Sequence, residues 1–216
     1  PVFTDPRIPI SLVADKNYVD RNGPAFEWID NWAALLNNVN GIYRDQFGKE
    51  FRMGKGLADL GGTFLTSSAH AMLLVQLESI IAQNGGFPGL KSHFAHLTTG
   101  KDLNGDVLGT ARNPGRTGLS QQRPAAPGTR LAFQNMILAA HMIGLNFNAV
   151  HSQADRWCAF EIGFVCAAWF QTLEHPVFRQ FTVPRFSNGS IVPSHNNAQR
   201  ICNEMIARGF APCPQP

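Results

Sequence analysis

A long apolar stripe with helical period follows a short β-rich segment near the start of the chain. Within EWIDNWAALLNNVNGIYRDQF, residues 27–47, apolar residues recur at steps of three and four and predict an amphipathic helix of about six turns at 3.6 residues per turn. Ahead of it, IPISLVAD, residues 8–15, is bounded by Pro and Asp and predicts a strand. The helix must lie across an apolar surface, and we expect the strand to open a sheet.

The same order recurs in the next part of the chain. GGTFLTSS, residues 61–68, indicates a second strand, and AHAMLLVQLESIIAQNGG continues as a helix that Gly85 and Gly86 end. The apolar stripe of this helix is predicted to comprise Met72, Leu73, Leu77, Ile80 and Ile81. A strand followed by a helix, twice, favours an α/β fold with helices packed on the faces of a sheet.

The remaining segments extend this pattern. SHFAHLTTGKDLNGDVLGTA, residues 92–111, predicts a strand, a turn and a short second strand, and the Gly- and Pro-rich residues 114–128 are predicted to form a surface loop. An apolar helix then runs to about Leu145 within TRLAFQNMILAAHMIGLNFNAVHS. A closing helix in SHNNAQRICNEMIARGF can be capped by Ser194 and is predicted to end near Gly209.

The composition is that of a folded domain. With 216 residues, 44% hydrophobic content, 16 Phe and 15% charged residues, the chain can bury a sizeable core and matches neither disordered nor fibrous proteins. We therefore interpret residues 1–216 as a single domain. No window approaches 18 consecutive apolar residues, and the opening PVFTDPRIPI lacks a basic and then apolar leader, so we expect a mature, soluble chain without a membrane span.

The charge pattern argues against nucleic acid as a partner. The formal net charge of +3 is small, and the arginines of GTARNPGRTGLSQQRPAAPGTR stand among Pro and Gly instead of along one helix face. No run of base-stacking aromatic residues accompanies these charges. We expect no nucleic-acid binding.

The cysteines indicate an oxidising compartment. Cys158, Cys166, Cys202 and Cys213 form no CxxC pair, so two disulfides are a simpler interpretation than a zinc ribbon or a redox motif. Their spacing leaves three pairings open. The sequon NGS at Asn188 is a candidate glycosylation site and is compatible with secretion.

The segment HMIGLNFNAVH, residues 141–151, carries a partial zinc-protease pattern. In the full pattern, H-E-x-x-H-x-x-G-x-x-H, three histidines hold zinc, the glutamate is the general base, and the glycine lets the chain turn toward the third ligand. His141 and His151 occupy two ligand positions here. The other key positions hold Met142 for the glutamate, Leu145 for the middle histidine and Asn148 for the glycine.

The flanking sequence strengthens the comparison. AHLTTGKDLNGDVLGTA followed by AAHMIGLNFNAVHS resembles the reprolysin (adamalysin) branch of the metzincin metalloproteases, and ISLVADKNYVDRNG and RGFAPC resemble the start and end of such a domain. The resemblance implies a mixed twisted sheet with helices on its faces, an antiparallel edge strand over the cleft, and a central zinc helix. It also implies an upper subdomain of about residues 1–151 and a small C-terminal subdomain of about residues 152–216, closed by a helix.

The departures from the family pattern bear on activity. Leu145 has no lone pair for a metal, and a site with two imidazoles holds zinc poorly. Met142 cannot accept a proton from a zinc-bound water, whereas Asn148 tolerates the left-handed backbone that the glycine supplies. The methionine of the family's turn under the zinc is missing after His151, and so is the family's cysteine after the GLA-like strand.

Other candidate sites have simpler interpretations. His93 and His96 have odd spacing on a strand, face opposite sides and are interpreted as rim or strand residues. Asp102 and Asp106 flank a turn that lacks the full ligand series of a calcium loop. The chain shows no nucleophile motif such as G-x-S-x-G.

The sequence therefore predicts a secreted, extracellular metzincin-like pseudoprotease that needs no cofactor. The apolar replacements suit a cleft that binds a peptide, a small hydrophobic ligand or another protein, and a role within an extracellular assembly is a further possibility. The alternative is an active zinc metalloendopeptidase with a rewired metal site. In that case His141 and His151 would recruit a further group from Asp155, Glu161 or His175.

Overall fold

Strands and helices alternate through most of the chain, as the sequence predicts. The computed structural model describes residues 7–23, 27–105, 107–123, 130–150 and 197–213. The strands in these residues are β1 (Ile8–Ala14), β2 (Phe51–Ala58), β3 (Phe94–Thr99), β4 (Gly109–Ala111) and β5 (Thr117–Gln121). The helices are α1 (Lys16–Arg21), α2 (Glu27–Phe47), α3 (His70–Gln83), α4 (Gly86–Leu90), α5 (Arg130–Asn146) and α6 (Asn197–Ala207).

The strands form one mixed sheet of five strands in the order β2-β1-β3-β5-β4. The pairs β1–β2, β1–β3 and β3–β5 are parallel, and β4 pairs antiparallel with β5 at the end of the sheet. This arrangement confirms the α/β class predicted from the sequence pattern and the antiparallel edge strand that the family resemblance implies.

Successive side chains of a strand pack alternately into two apolar cores, one on each face of the sheet. Leu12 and Phe94 join the core beneath α2 and α5, whereas Val13 and Leu97 join the core beneath α3 and α4. The alternation follows from the two-residue period of a strand. The inner strands β1, β3 and β5 are covered on both faces and are buried along almost their whole length, whereas the edge strand β2 is partly exposed.

The predicted helix over residues 27–47 is confirmed as α2, and its aromatic residues hold it on the sheet. Trp32 is fully buried, and its Nε1 donates a hydrogen bond of 2.6 Å to the Thr98 hydroxyl in β3. Trp28 packs edge-on against Trp32 at 4.8 Å between ring centroids. A buried indole needs a partner for its N–H group, and Thr98 supplies one at the centre of the interface.

The second strand was predicted in the wrong place. Residues 61–68 form turns and bends, and the strand that pairs with β1 is Phe51–Ala58. The Asp59 carboxylate accepts hydrogen bonds from the backbone N–H groups of Thr63, Phe64 and Leu65, so this segment folds around one side chain instead of pairing in the sheet.

The helix of residues 70–83 is confirmed, but one residue of its predicted stripe is wrong. Met72 is 54% exposed, and Leu74 is buried instead. Gly85 adopts a φ of 81° just after the helix, in agreement with the predicted stop.

The prediction of a surface loop over residues 114–128 is wrong for its centre, which forms β5 between β3 and β4. TGLSQ shows neither a continuous apolar run nor apolar alternation, and all five residues are buried. Their polar groups are satisfied inside the protein: the Thr117 hydroxyl donates to Glu78, and the Gln121 amide donates to Asp102. Asp102 thus lies in a hydrogen-bonded turn, and Asp106 lies outside the described residues.

The last helix ends as predicted, with Gly209 at a φ of 84°. Cys202 in this helix forms a disulfide with Cys213, which confirms a disulfide and settles one of the pairings left open. Cys158, Cys166, Asn188 and Ser194 lie outside the described residues, as does the boundary between the two predicted subdomains near residue 151. Among the described helices, none combines the length and the apolar character needed to cross a bilayer.

Candidate active-site helix

The helix α5 carries the zinc-pattern positions and is held between the sheet and α2. It contacts β4, β5 and α2 along its length. The Tyr43 hydroxyl of α2 donates a hydrogen bond of 3.1 Å to the carbonyl of Ala140, the residue just before His141. The aromatic rings of Phe94 and Phe147, 4.7 Å apart, fix the end of α5 against β3. The zinc-pattern positions of α5 therefore lie on a helix that is packed against both the sheet and α2.

Met142 and Leu145 are part of the protein core. Met142 is 4% exposed and Leu145 is 7% exposed, and both belong to the apolar cluster that also contains Phe94 and Phe147. A Cβ atom added to Gly109 would lie 3.1 Å from the Met142 sulfur, so the Met142 side chain reaches the underside of the edge strand β4. Where the family pattern has a carboxylate, this protein has a thioether packed beneath the edge strand.

His141 is buried as well, with 3% of its surface exposed. It lies one turn before Leu145, so the two residues share a face of α5, as the first two ligands of the zinc pattern do. His151, Asp155, Glu161 and His175 lie outside the described residues.

Asn148 turns the chain at the end of α5. Its φ of 67° is the left-handed conformation for which the family pattern uses glycine. The Asn148 N–H donates to the Leu145 carbonyl at 2.9 Å, and the Ala149 N–H donates to the Gly144 carbonyl at 3.0 Å. These bonds satisfy carbonyls that the last turn of a helix otherwise leaves unpaired. The turn is therefore kept although the glycine is replaced.

Two arginines hold this turn: Arg200 lies in α6, and Arg208 immediately follows α6. Arg200 donates to the backbone carbonyl of Asn148 at 2.7 Å and to its side-chain oxygen at 2.9 Å. Arg208 donates to the carbonyls of Asn146 at 2.7 Å and Gly115 at 2.9 Å, and its guanidinium lies 5.0 Å from the ring centre of Phe94. Positive charge at the carboxyl end of a helix is favourable because the helix dipole is negative there.

The described side chains do not fit a catalytic zinc site. Such a site needs three protein ligands and an open position for water. Of the pattern positions on α5, His141 alone offers a donor atom, since Leu145 offers none and Met142 replaces the base. Within the described ranges, no group of three or more His, Cys, Asp or Glu side chains is placed to hold a metal ion.

A buried polar network beneath α5 was missed by the sequence interpretation. His96 of β3 is 2% exposed, and its Nε2 lies 2.8 Å from the Ser120 hydroxyl of β5. The Gln122 amide donates to the same hydroxyl at 2.8 Å and to the Asn135 carbonyl in α5 at 3.3 Å. Burial lowers the pKa of His96 to about 4, so the ring is neutral near pH 7.

His96 and Ser120 share one hydrogen bond within this network, in which Nε2 accepts from the hydroxyl or donates to it according to the tautomer of the ring. Nδ1 has no hydrogen-bond partner among the described residues. His93, in contrast, is exposed at the start of β3 and packs against Phe210, so the two histidines do not share a site.

Comparison with known proteins identifies the fold. No protein-family model and no curated protein matches the chain. The structure is similar to the crystal structure of archaemetzincin from Methanopyrus kandleri, with a TM-score of 0.55 and 16% identity, over 95% of this chain and 99% of that chain. It is also similar, with a TM-score of 0.53 and 12% identity, to a chain in the structure of a chaperone–substrate complex, of which it spans 24% with 68% of its own length.

At these identities the similarity concerns the fold alone. It agrees with the mixed five-stranded sheet, the antiparallel edge strand β4 and the helices on both faces. The chain therefore has a metzincin-like α/β fold.

Proposed function

We propose that this protein is a secreted metzincin-like pseudoprotease, related to the reprolysin branch, that acts by binding and not by zinc-dependent proteolysis. The observation that carries the proposal is the burial of Met142 and Leu145 in one apolar cluster at the positions of the base and the middle ligand. The fold similarity supports the metzincin-like class, and the resemblance of AHMIGLNFNAVHS supports the branch.

The chemistry of the two replacements supports the loss of proteolysis. Without a general base, catalysis falls by about 10²- to 10⁴-fold even where a metal is retained. Leu145 offers no ligand atom, so the metal itself would be held weakly. Both side chains pack tightly into the core. A different rotamer of Met142 or Leu145 would therefore not restore a base or a metal ligand at either position. The two losses act on the same reaction and compound.

The edge strand supports a peptide as the bound ligand. β4 is the last strand of the sheet and pairs with β5 along one edge. An extended peptide can add to the other edge through backbone hydrogen bonds. The short length of β4, Gly109–Ala111, would limit such pairing to a few hydrogen bonds. Met142 is buried beneath this strand, so it would support the strand and would not contact the peptide.

The disulfide supports an extracellular location. Disulfides persist in secreted proteins and are rare in the reducing cytosol. The Cys202–Cys213 bond joins α6 to the segment that follows it, in the part of the chain that holds the turn at Asn148. We extend the proposal to glycosylation at Asn188.

The test is elemental analysis of natively purified protein together with hydrolysis of a general peptide substrate, with and without a chelator. We expect zinc well below one equivalent and no chelator-sensitive cleavage. Stoichiometric zinc with chelator-sensitive cleavage would overturn the proposal and favour the alternative metalloendopeptidase, with His141, His151 and a third ligand from Asp155, Glu161 or His175. Substitution of each of those three residues by Ala would then identify the ligand.

A further inference from the structure

Basic residues stand at the amino-terminal end of every parallel strand. Because parallel strands begin at the same edge of a sheet, residues that precede them are brought together. Arg7 immediately precedes β1, Arg52 is the second residue of β2, His93 immediately precedes β3, and Arg116 immediately precedes β5. These four positions are far apart in sequence and have one sheet edge in common.

Backbone pairing places these residues in adjacent rows. Arg52 pairs with Pro9 across β2 and β1, and the Pro9 carbonyl accepts a hydrogen bond of 2.8 Å from the His93 N–H. On the other side of β3, the Arg116 carbonyl accepts a hydrogen bond of 2.8 Å from the Ala95 N–H. Neighbouring strands lie about 4.8 Å apart, so the backbone positions of these residues are close together along this edge.

Two more basic residues extend the row. The Lys91 carbonyl would lie 3.2 Å from a Cβ atom on Gly54, so the turn that carries Lys91 lies against β2. Arg208 donates to the carbonyl of Gly115, which is adjacent to Arg116. We call the set Arg7, Arg52, Lys91, His93, Arg116 and Arg208 the basic rim.

The positive charges of the basic rim act on one another. The pKa of His93 is lowered first by partial burial and then by the nearby guanidinium groups of Arg116, Arg208 and Arg52. Three carboxylates at or near this edge are in ion pairs: Glu50, just before β2, with Arg44 at 3.0 Å, Glu204 with Arg208 at 2.8 Å, and Glu78 with Arg112 at 2.8 Å. An anionic ligand would relieve the repulsion between these cations.

A groove adjoins the rim at Arg116. It has a volume of about 340 Å³, and its lining includes Arg116 and the ion pair of Glu78 with Arg112. The Arg116 guanidinium lies 5.4 Å from the ring centre of Phe87, which holds it at the mouth of the groove. Because Arg112 is paired with Glu78, Arg116 supplies the positive charge of this groove.

We propose that the basic rim binds a sulfated polysaccharide. A linear polyanion matches a sheet edge at which several strands begin with basic residues, and planar guanidinium groups pair with sulfate oxygens in bidentate geometry. Basic patches that bind heparin-like chains use this electrostatic complementarity. The proposal does not depend on the loss of protease activity, because the rim residues are not the pattern residues of α5.

Two other polyanionic partners fit the surface less well. Nucleic-acid binding uses exposed aromatic rings for base stacking, and the exposed Phe64 follows β2 at the opposite edge of the sheet. An anionic membrane favours apolar side chains beside the basic ones. Among the exposed large apolar residues of the described chain, Leu60 also follows β2, Met72 and Val75 lie on α3, and Ile206 stands singly on α6.

The experiment compares two variants with the same loss of charge at opposite edges of the sheet. The rim variant is Lys91→Gln/Arg116→Gln. The control is Lys16→Gln/Arg123→Gln, whose residues follow the carboxyl ends of β1 and β5. Binding to immobilised heparin is measured at several salt concentrations, with hyaluronan, single-stranded DNA and phosphatidylserine vesicles as competitors. Thermal unfolding confirms that both variants fold.

We expect the rim variant to lose at least tenfold in heparin affinity and the control less than twofold. The slope of log affinity against log salt should become shallower by about 0.8 for each contact removed. Arg116→Lys keeps the charge but loses the bidentate geometry, so its affinity should lie between that of the unaltered protein and that of the rim variant. Equal losses in both double variants, unchanged binding by the rim variant, or stronger competition by hyaluronan, DNA or vesicles than by free heparin would overturn the proposal.

Discussion

Arg200 holds Asn148 with two hydrogen bonds, one to its backbone carbonyl at 2.7 Å and one to its side-chain oxygen at 2.9 Å. The partners are 52 residues apart in sequence. Asn148 combines a left-handed backbone with a side-chain acceptor, and a glycine at the same position would supply the backbone alone. The asparagine is therefore more than a tolerated replacement, because it also anchors the closing helix.

Substitutions at Asn148 should separate these two contributions. Asn148→Gly removes the side-chain acceptor but keeps the backbone conformation, so we expect a loss of about 1–2 kcal/mol in the free energy of unfolding. Asn148→Ala adds left-handed strain of about 1–2 kcal/mol to that loss. Chemical denaturation measures both values. Equal free energies of unfolding for the two variants would show that the left-handed backbone at residue 148 does not affect stability.

The burial of Met142 can be tested with two Met→Glu substitutions in helices. Met142→Glu places a carboxylate in the apolar cluster, and we expect a loss of about 3 kcal/mol or more near pH 7. Burial would raise the pKa of the new carboxyl, so the loss should diminish as the pH falls toward 5. Met72→Glu, on the exposed face of α3, is the control and should change stability by less than about 0.5 kcal/mol. Similar losses for both variants would contradict the assignment of Met142 to the core.

His96 should make the protein less stable at acidic pH. Burial lowers its pKa from 6.5 to about 4, so between these values the unfolded chain binds a proton that the folded protein does not. The contribution of His96 to stability is therefore fully present above pH 6.5 and falls as the pH decreases toward 4, by about 1.4 kcal/mol per pKa unit.

Denaturation of the protein and of His96→Gln at pH 7 and pH 5 measures this effect. The variant loses the titrating group, so its stability should change less between the two pH values. A pH dependence that is the same in both proteins would assign the acid sensitivity to other groups.

Gly109 should not tolerate a side chain. A Cβ atom there would lie 2.7 Å from the Leu119 carbonyl and 3.1 Å from the Met142 sulfur, so the edge strand would have to move. We expect Gly109→Ala to cost about 1–3 kcal/mol. Gly41→Ala in α2 is the matched control, since a Cβ atom meets nothing within 4 Å there, and it should raise stability by about 0.5–1 kcal/mol. Calorimetric unfolding of the two variants should therefore show shifts of opposite sign.

The helices could be predicted from the sequence because their signal is local. The apolar steps of three and four in residues 27–47 and 70–83 carry the period of a helix that buries one face. Two strands lacked such a signal. FRMGKGLA of β2 contains two glycines and two basic residues, and TGLSQ of β5 is mostly polar. Both form because parallel pairing with distant strands satisfies their backbone groups, and a local pattern does not contain those partners.

The sequence identified the residue positions of the candidate site but not the contacts that their side chains make. The zinc-pattern frame identifies Met142, Leu145 and Asn148 as the replaced residues, and the structure shows where those on α5 pack. The contact of Met142 with the strand at Gly109, and the pairing of His96 with Ser120 at a separation of 24 residues, depend on the tertiary fold. The basic rim was missed for the same reason, since four of its members stand at the starts of different strands, the other two follow helices, and all are dispersed along the sequence.

The hydrogen bonds of the Arg208 guanidinium can form only late in the synthesis of this domain. Arg208 hydrogen-bonds the carbonyl of Asn146, a residue that leaves the ribosome 62 positions earlier, and also the carbonyl of Gly115. Domains generally begin to fold from the amino-terminal side during synthesis, so the sheet and α5 can assemble while the carboxyl end of α5 still faces water. The hydrogen bonds of Arg208 to Asn146 and Gly115 therefore cannot form before the closing helix has been translated.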